Sequence, residues 1–387
     1  MFNIKTINNI SDKGLNRLPA ETYSVSPEMD NPDAIILRSQ NLHDMEIPDS
    51  LKVVGRAGAG TNNVPVEKLG DKGVVVFNAP GANANAVKEL VIAGMLLACR
   101  NICQAWWYAE NVQGSDEEQN KAVEAGKKKY VGYELPGRTL GVVGLGAIGV
   151  EIANVAVALG MRVVGFDPTI TVKSAWKMSS DVEEMENVEE LIKQSDFITF
   201  HVPLIDATRD LMNSEHIATM KDGAVILNFA RHGIVNDDAV LAALESGKLG
   251  AYVCDFPAQK LKNNDRVITL PHLGASTAEA EENCAMMIAD QIKDFLENGN
   301  IRNSVNFPAV KLPRGGRSRV ALTHKNMPDM IARISTAVGE AGYNIHHMRN
   351  ESKNDLAYTL IDIECEIGED LIEKFSGIDG VLKARQV

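Results

Sequence analysis

The chain has 387 residues, of which 45% are hydrophobic and 24% charged, a size that suits two or three globular domains rather than one. Its formal net charge of −13 argues against a nucleic-acid partner, because nucleic-acid-binding proteins present a basic face to the phosphates. The longest apolar runs are too short to span a bilayer, and the N-terminus lacks the pattern of a secretory signal, so we expect no membrane association.

The cysteines are scattered along the chain and odd in number. No CxxC motif occurs, so neither a disulfide framework nor a metal site is expected. Reduced thiols of this kind indicate a cytoplasmic protein. The five residues are Cys99, Cys103, Cys254, Cys284 and Cys365.

The first 80 residues alternate short β-like runs with helical ones. The apolar runs Ala34–Leu37, Lys52–Val54 and Val74–Phe77 are strand candidates, and the stretch Asn85–Ile102 repeats Ala, Leu and Met at helical spacing. This part of the sequence therefore predicts a small α/β unit followed by a helix.

From Arg138 to Leu270 the alternation is clearer. Helical segments such as Val150–Leu159, Val188–Gln194 and Asp237–Ser246 lie between apolar strand candidates, and this order predicts a doubly wound parallel sheet. The strand candidates read TLGVVG, MRVVGF, FITFHV, AVILNF, AYVCDF and VITL.

The last third of the chain changes character. Residues 273–299 predict one long helix, capped by Ser276 or Thr277 and ended by Gly299. A Pro- and Gly-containing linker at 311–318 follows. The order strand, helix, strand, strand, helix, strand over 319–387 then predicts a small α+β module.

A glycine-rich motif follows the first strand of the second region. Gly144, Gly146 and Gly149 form a GxGxxG that opens a helix, and the next strand ends at Asp167. In this context the glycines provide a tight turn, close approach of a pyrophosphate and close helix packing. The helix N-terminus offers free N–H groups to the phosphates. The motif therefore predicts a dinucleotide site.

Asp167 also bears on which dinucleotide binds. Its carboxylate is placed to accept hydrogen bonds from the adenosine ribose, and it would repel a 2′-phosphate. Pro168 and Thr169 follow it, so no arginine is at hand to neutralise such a phosphate. We expect NAD rather than NADP.

Two strand ends offer side chains suited to the oxidation of a 2-hydroxy acid. Arg231 follows AVILNF, and His272 follows VITL. Histidine suits proton transfer near neutral pH, and the guanidinium fork matches a carboxylate. Each residue taken alone also fits a structural role, Arg231 in a surface ion pair and His272 as a helix cap or core residue.

These motifs together resemble the D-2-isomer-specific 2-hydroxyacid dehydrogenase family over about residues 30–310. GLGAIG, HVPL, NFAR with GIV, the strand ending at Asp255 and PHLGAST occur in the family's order and spacing. The resemblance implies a Rossmann-like cofactor domain at 86–272, inserted in a flavodoxin-like substrate domain made of 1–85 and 273–310. The module at 319–387 resembles an ACT domain, a βαββαβ amino-acid-sensing fold.

The resemblance implies roles for individual residues. Arg231 would orient the substrate, and His272 would be the acid/base. The residues implied around NAD are Gly144, Gly146, Ala147, Ile148, Gly149, Asp167, Val202, Pro203, Thr208, Phe229, Ala230, Asp255 and Gly274.

Two positions depart from the family pattern. Ala147 stands where the family usually has an arginine near the pyrophosphate. Gln259 or Lys260 stands where the family has the glutamate that pairs with the catalytic histidine, and Asp265 is too far along the chain to replace it. The departure leaves open what orients His272.

A family member that carries an ACT module is expected to oxidise 3-phosphoglycerate to 3-phosphohydroxypyruvate, the first step of L-serine synthesis. Arg38 and Arg56 lie in turns after N-terminal strands and are expected to bind the phosphate. Backbone N–H groups around Ala57 and Gly58 are expected to hold the carboxylate. Lys127–Lys129 is either a solvated run or a further phosphate contact, and a homodimer or homotetramer is expected.

Three residues of the module match effector positions of serine-sensing relatives: His324, Asn326 and Asn344. Asp329 follows Pro328 where those relatives have glycine, so serine is expected to bind weakly or not at all. A module that serves only in dimerisation is the other interpretation. Two further functions stay open: a dehydrogenase for another D-2-hydroxy acid, and an NAD(H)-binding sensor with little turnover, which the missing glutamate favours.

Overall fold

The computed structural model describes all 387 residues, and the chain divides into two compact units. The first comprises residues 1–83 and 278–387, and the second comprises residues 84–277. The inserted domain was expected over residues 86–272. The C-terminal module clusters with the N-terminal part of the chain rather than standing apart. None of the helices has the length and apolar character that a membrane span requires.

The N-terminal part of the first unit is a five-stranded sheet. Its elements are β1 (Phe2–Ile7), α1 (Asp12–Leu15), β2 (Tyr23–Ser26), β3 (Ala34–Leu37), β4 (Val53–Arg56), α2 (Val66–Asp71) and β5 (Val75–Phe77). All strand pairs are parallel, in the order β2-β1-β3-β4-β5. Leu37 of β3 pairs with Arg56 of β4. The chain therefore leaves both strands at the same edge, where Arg38 follows β3.

The second unit is built around a seven-stranded sheet. Its elements are α3 (Ala84–Cys99), α4 (Ile102–Asn111), α5 (Asp116–Gly126), β6 (Thr139–Val143), α6 (Ala147–Ala158), β7 (Arg162–Phe166), α7 (Val172–Ala175), β8 (Val182–Glu184), α8 (Val188–Gln194), β9 (Phe197–Phe200), α9 (Ser214–Thr219), β10 (Ala224–Asn228), α10 (Asp237–Glu245), β11 (Leu249–Cys254) and β12 (Val267–Thr269). All its strand pairs are parallel, in the order β12-β11-β10-β9-β6-β7-β8. The reversal of strand order at β6 and β9 defines a doubly wound sheet, which confirms the predicted fold class.

One predicted helix of this unit is shorter than expected. The helix expected over Asn85–Ile102 ends at Cys99, and α4 begins at Ile102. Asn101 between them has a φ of 51°, a left-handed conformation that asparagine tolerates better than most residues. Helical periodicity continues across this residue, so the spacing of apolar residues did not reveal the break.

The remainder of the first unit begins with a long helix. Its elements are α11 (Ala278–Asn298), β13 (Ser318–Lys325), α12 (Met330–Glu340), β14 (Ile345–Lys353), β15 (Leu356–Ile363), α13 (Glu369–Ser376) and β16 (Val381–Gln386). Gly299 ends α11 with a φ of 72°, the left-handed conformation typical of a residue just past a helix. The βαββαβ order of the module agrees with the prediction, and its antiparallel sheet has the order β14-β15-β13-β16.

The module packs on both faces of its sheet. One face contributes Val320, Leu322 and Ile361 to a core with α12 and α13. The other face contributes Tyr358 and Leu360 to the core that contains α11 and the N-terminal sheet. Apolar residues alternate between the two faces along β13 and β15, as the two-residue period of a strand requires.

A buried arginine ties this sheet to the segment that precedes it. The Arg319 guanidinium pairs with Asp362, at 2.6 Å and 2.8 Å, and also donates to the carbonyls of Asn298, Leu312 and Pro313. The predicted linker at 311–318 is therefore held by the fold at both ends. The sequence did not reveal this attachment, because the interacting residues are far apart in the chain.

Candidate active site

The glycine-rich turn connects β6 to α6. Gly144 has a φ of 93°, and a Cβ there would lie 2.7 Å from the carbonyl oxygen of His201. A Cβ on Gly149 would lie 1.9 Å from the Gly144 oxygen, whereas a Cβ on Gly146 would meet no atom within 4 Å. Gly144 and Gly149 are thus required by the packing of the backbone around them, with or without a ligand. The open space over Gly146, at the N-terminus of α6 with Ala147 and Ile148, fits a pyrophosphate.

Asp167, the residue expected to bind the adenosine ribose, also holds this turn. Its carboxylate accepts hydrogen bonds from the backbone N–H of Leu145 at 2.8 Å and of Thr169 at 2.8 Å. The Leu145 bond links the glycine-rich turn to the end of β7. The partly exposed carboxylate keeps further acceptor capacity, because each oxygen can take two hydrogen bonds. The residues present therefore fit NAD.

The other residues implied around NAD lie in loops after β9, β10, β11 and β12. The Thr208 hydroxyl donates to the Pro203 carbonyl at 2.6 Å and accepts from the Ile205 N–H at 2.9 Å, which folds the loop after Val202 back on itself. Phe229 and Ala230, directly after β10, are buried. All these loops leave the carboxyl ends of parallel strands, the edge where α/β sheets bind ligands.

The turn that carries Arg231 is fixed by a buried asparagine. Asn228, at the end of β10, accepts from the Ala230 N–H at 3.2 Å and donates to the Arg231 carbonyl at 3.0 Å. The Arg231 side chain is partly exposed, and its Nη1 bonds the Ala230 carbonyl at 2.6 Å. Sequence reasoning did not single out Asn228, although its place in the NFAR motif was visible.

His272 has an unusual backbone conformation. Its φ is 54°, a left-handed value that costs a non-glycine residue roughly 1–2 kcal/mol, and such strain often accompanies function. Asp255 holds the following residues by accepting from the N–H of Leu273 at 2.9 Å and of Gly274 at 3.2 Å. The imidazole is exposed and meets the ring of Phe256 edge-on, 5.2 Å between centroids. Phe256 is a contact that the sequence did not predict.

The structure supplies no carboxylate partner for the imidazole within the chain. The histidines that form ion pairs are His216 and His232. Gln259 and Lys260 lie in a short 3₁₀ turn over Gln259–Leu261, and the Lys260 ammonium pairs with Asp238 at 2.9 Å. Lys260 is thus engaged elsewhere, and neither residue hydrogen-bonds His272.

In the first unit, the two arginines expected to bind phosphate lie together. The Arg56 Nε donates to the Arg38 carbonyl at 3.1 Å. The N–H groups of Ala57 and Gly58 were expected to bind the substrate carboxylate, and here both have backbone partners. The Ala57 N–H donates to the Leu37 carbonyl at 2.7 Å and the Gly58 N–H to the Arg56 carbonyl at 2.8 Å, so both donors are already engaged.

The residues expected to form an effector site do not meet within one chain. His324 is buried, and its ring bonds the Lys325 carbonyl, Asn350 and Thr359. Asn326, next to it, donates to the Asn354 carbonyl at 3.0 Å. Asn344 precedes β14 at the opposite end of the sheet, because both Ile345 and Ser318 pair with Ile363. His324 therefore acts as a core residue, and Asn344 is remote from Asn326.

The lysine run at 127–129 forms a 3₁₀ turn after α5. Lys127 pairs with Glu124, and the run is exposed. The expected alternatives, a solvated run or a further phosphate contact, both stay predictions.

The doubly wound sheet and the glycine-rich turn with Asp167 fit a dinucleotide-binding domain, and Arg231 and His272 lie at the ends of its strands. Residues 92–274 match the family model described as the D-isomer specific 2-hydroxyacid dehydrogenase, NAD binding domain. The chain belongs to this family, and its cofactor is NAD.

Its curated relatives include D-3-phosphoglycerate dehydrogenases. That of Methanocaldococcus jannaschii is 39% identical over 294 residues, which cover 74% of this chain and 54% of the relative. That of Haemophilus influenzae is 33% identical over 353 residues, which cover 88% of this chain and 82% of the relative. The chain thus spans about half the length of some relatives and most of others.

Solved structures agree with this assignment. The NAD⁺-bound 3-phosphoglycerate dehydrogenase of Entamoeba histolytica superposes with a TM-score of 0.60 at 25% identity. The match covers 79% of this chain and 98% of that structure.

Proposed function

We propose that the protein oxidises D-3-phosphoglycerate to 3-phosphohydroxypyruvate with NAD, the reaction that begins L-serine synthesis. The observation that carries the proposal is the similarity to D-3-phosphoglycerate dehydrogenases over most of both chains. Two sets of side chains support it. His272 and Arg231 suit the oxidised carbon, and Arg38 and Arg56 add positive charge for a phosphate.

In this mechanism His272 accepts the proton of the C2 hydroxyl, and Arg231 binds the carboxylate and polarises the C2 oxygen. NAD, when bound, supplies the hydride acceptor. The bonds from Asn228 hold the Arg231 turn, and those from Asp255 hold the loop of His272. The Phe256 ring meets the imidazole edge-on, 5.2 Å between centroids, and is the group proposed to orient it.

The cofactor preference rests on Asp167. Its carboxylate would repel the 2′-phosphate of NADP, so we expect kcat/KM to be higher with NAD. Asp167→Asn should narrow the difference, because the amide removes the charge and its oxygen can still accept the Leu145 hydrogen bond. Steady-state rates with both cofactors measure this, and equal kcat/KM values in the unmodified protein would contradict it.

We further propose a homo-oligomer. Helix α4 exposes Trp106 and Trp107 by 63% and 64%, with Ile102 beside them on the same helix. Large exposed aromatic side chains on a helix are typical of a contact surface. Sedimentation of the unmodified protein and of Trp106→Glu should give a dimer or tetramer for the former and a smaller species for the latter.

The cytoplasm is the proposed location, supported by five cysteines that form no disulfide. Serine is proposed to bind weakly, because Asp329 occupies the turn after Pro328.

The experiment that tests the main proposal follows NADH formation from D-3-phosphoglycerate and identifies the product by mass. Turnover in the unmodified protein, lost in His272→Gln, is the expected result. Turnover only with unphosphorylated acids would favour a different dehydrogenase. NAD binding without turnover of any hydroxy acid would favour the sensor interpretation, which the absence of a carboxylate beside His272 supports.

A further inference from the structure

Arg38 carries an ion-pair partner that a phosphate-binding role does not require. Its Nη1 lies 2.6 Å from Oε1 of Glu281. The two side chains are 36% and 41% exposed, so solvent and ligands can reach the pair. Glu281 lies in the first turn of α11, where the helix dipole favours a carboxylate. The contact lies entirely within the first compact unit.

The surroundings of this pair form a small charged cluster. Arg56 bonds the Arg38 carbonyl at 3.1 Å, which brings the two cationic turns together. Cys284 lies one turn after Glu281 on α11. Burial raises the pKa of its thiol, the positive charges of Arg56 and Arg38 act to lower it, and the charge of Glu281 adds to the rise. Arg38, Arg56 and Glu281 therefore all lie close enough to Cys284 to act on its thiol.

We infer that Glu281 is a specificity-determining residue that competes with the substrate phosphate for Arg38. This inference rests on the proposed function. A phosphate ester carries between one and two negative charges at neutral pH, so at Arg38 it must either displace the Glu281 carboxylate or lie beside it. Displacing the carboxylate and lying beside it each weaken the binding of a phosphorylated acid. The binding of an acid without a phosphate is affected by neither.

A positioning role for Glu281 predicts the opposite change in substrate binding. If Glu281 only positioned Arg38 for the phosphate, its removal would weaken the binding of phosphorylated substrate. If Glu281 competes, its removal strengthens that binding. The direction of the change in KM therefore separates the two roles.

The test compares Glu281→Gln with the matched control Glu282→Gln. Glu282 is adjacent on α11, and its carboxylate pairs with Lys13 at 2.7 Å rather than with Arg38. Glu281→Gln should lower KM for 3-phosphoglycerate about fivefold, at the upper end for a partly exposed charge pair. KM for D-glycerate and kcat should stay unchanged, and the control should match the unmodified protein.

A double-variant cycle checks that the effect passes through Arg38. In an Arg38→Ala background, Glu281→Gln should no longer lower KM for 3-phosphoglycerate. A full effect in that background would overturn the inference, because Glu281 would then act on something other than Arg38.

A binding measurement keeps this inference separate from the proposed function. Inorganic phosphate is titrated by calorimetry into the full-length protein and into both variants. Tighter phosphate binding by Glu281→Gln alone supports competition even if 3-phosphoglycerate is never turned over, a result that would reject only the proposed function. Unchanged or weaker phosphate binding overturns the inference even in an active enzyme.

Discussion

Asp255 in the second unit and Asp362 in the C-terminal module are buried to nearly the same degree, 1% and 0% exposed. Asp255 accepts from the backbone of the loop that carries an exposed histidine. Asp362 pairs with the buried guanidinium of Arg319 and holds the module to the end of α11. The nature of the partner, and not burial, distinguishes a carboxylate that holds the backbone of one loop from a carboxylate that ties distant parts of the chain together.

The largest expected effect concerns His272, in the loop that Asp255 holds. His272→Ala should lower kcat roughly 10²–10⁴-fold, the usual range for a general acid/base. The melting temperature of this variant should equal that of the unmodified protein, because the imidazole is exposed. His232→Ala is the control, since His232 is 69% exposed and pairs only with Asp237. A loss of less than tenfold in His272→Ala would mean that another group transfers the proton.

In the C-terminal module, Arg319→Leu should lower the free energy of unfolding by about 3–5 kcal/mol, because it leaves Asp362 buried without its partner. Arg17→Leu breaks an ion pair that is 45% and 50% exposed and should cost less than about 1 kcal/mol. Chemical denaturation measures both changes. Equal losses would show that the Arg319 pair contributes no more than a surface pair.

Acid unfolding tests the same pair. Burial raises the pKa of Asp362, but the hydrogen bonds from Arg319 and Gly315 outweigh it, and the pKa lies below the ordinary value of 3.8. The carboxylate therefore stabilises the folded state above that pH, and this contribution is lost as the pH falls from about 3.8 toward the folded-state pKa. Asp362→Asn should be less stable at neutral pH and should lose less further stability on acidification. A parallel pH dependence in both proteins would contradict this.

Asp255→Asn tests whether the hydrogen bonds of Asp255 to the loop of His272 affect turnover. The amide oxygen can still accept one N–H, but the second, charge-assisted bond is lost, at about 1.5–3 kcal/mol. We expect kcat to fall on the order of tenfold or more. Asp238→Asn is the control, because Asp238 is exposed and pairs with Lys260 away from the loop. An unchanged kcat would show that Asp255 does not position His272.

The smallest effect concerns a turn of the C-terminal module. Asp329 has a φ of 66°, a conformation that glycine adopts at no steric cost. Asp329→Gly should therefore raise the free energy of unfolding by about 1 kcal/mol. Calorimetry with serine then checks the effector proposal, since the glycine should strengthen serine binding. A less stable variant would show that the ion pair with Arg333 at 3.4 Å outweighs the strain.

Much of the fold could be predicted because local patterns specify it. Apolar runs marked six strands of the parallel sheet, and β8 was missed because Val182–Glu184 is short and largely exposed. The break at Asn101 was missed because one left-handed residue leaves the helical periodicity intact. The packing of the module on α11 depends on contacts such as that of the Tyr358 hydroxyl with the Gly299 carbonyl, 59 positions apart, which no local pattern contains.

The candidate site likewise combines features that local motifs predict with contacts between residues distant in the sequence. The glycine-rich turn, Asp167, Arg231 and His272 were predicted from motifs that lie in short segments. The pair of Arg38 with Glu281 joins residues distant in the sequence, and the engaged N–H groups of Ala57 and Gly58 depend on backbone geometry. Contacts of this kind require coordinates.

The most direct test of the proposed substrate is the ratio of kcat/KM for 3-phosphoglycerate to that for D-glycerate, measured with NAD in the unmodified protein and in Arg38→Ala. We expect a ratio well above one that falls at least tenfold in Arg38→Ala, because that variant loses the charge-assisted hydrogen bonds proposed for the phosphate and leaves the reactive carbon unaffected. A ratio near one in the unmodified protein, or the same ratio in both proteins, would contradict it.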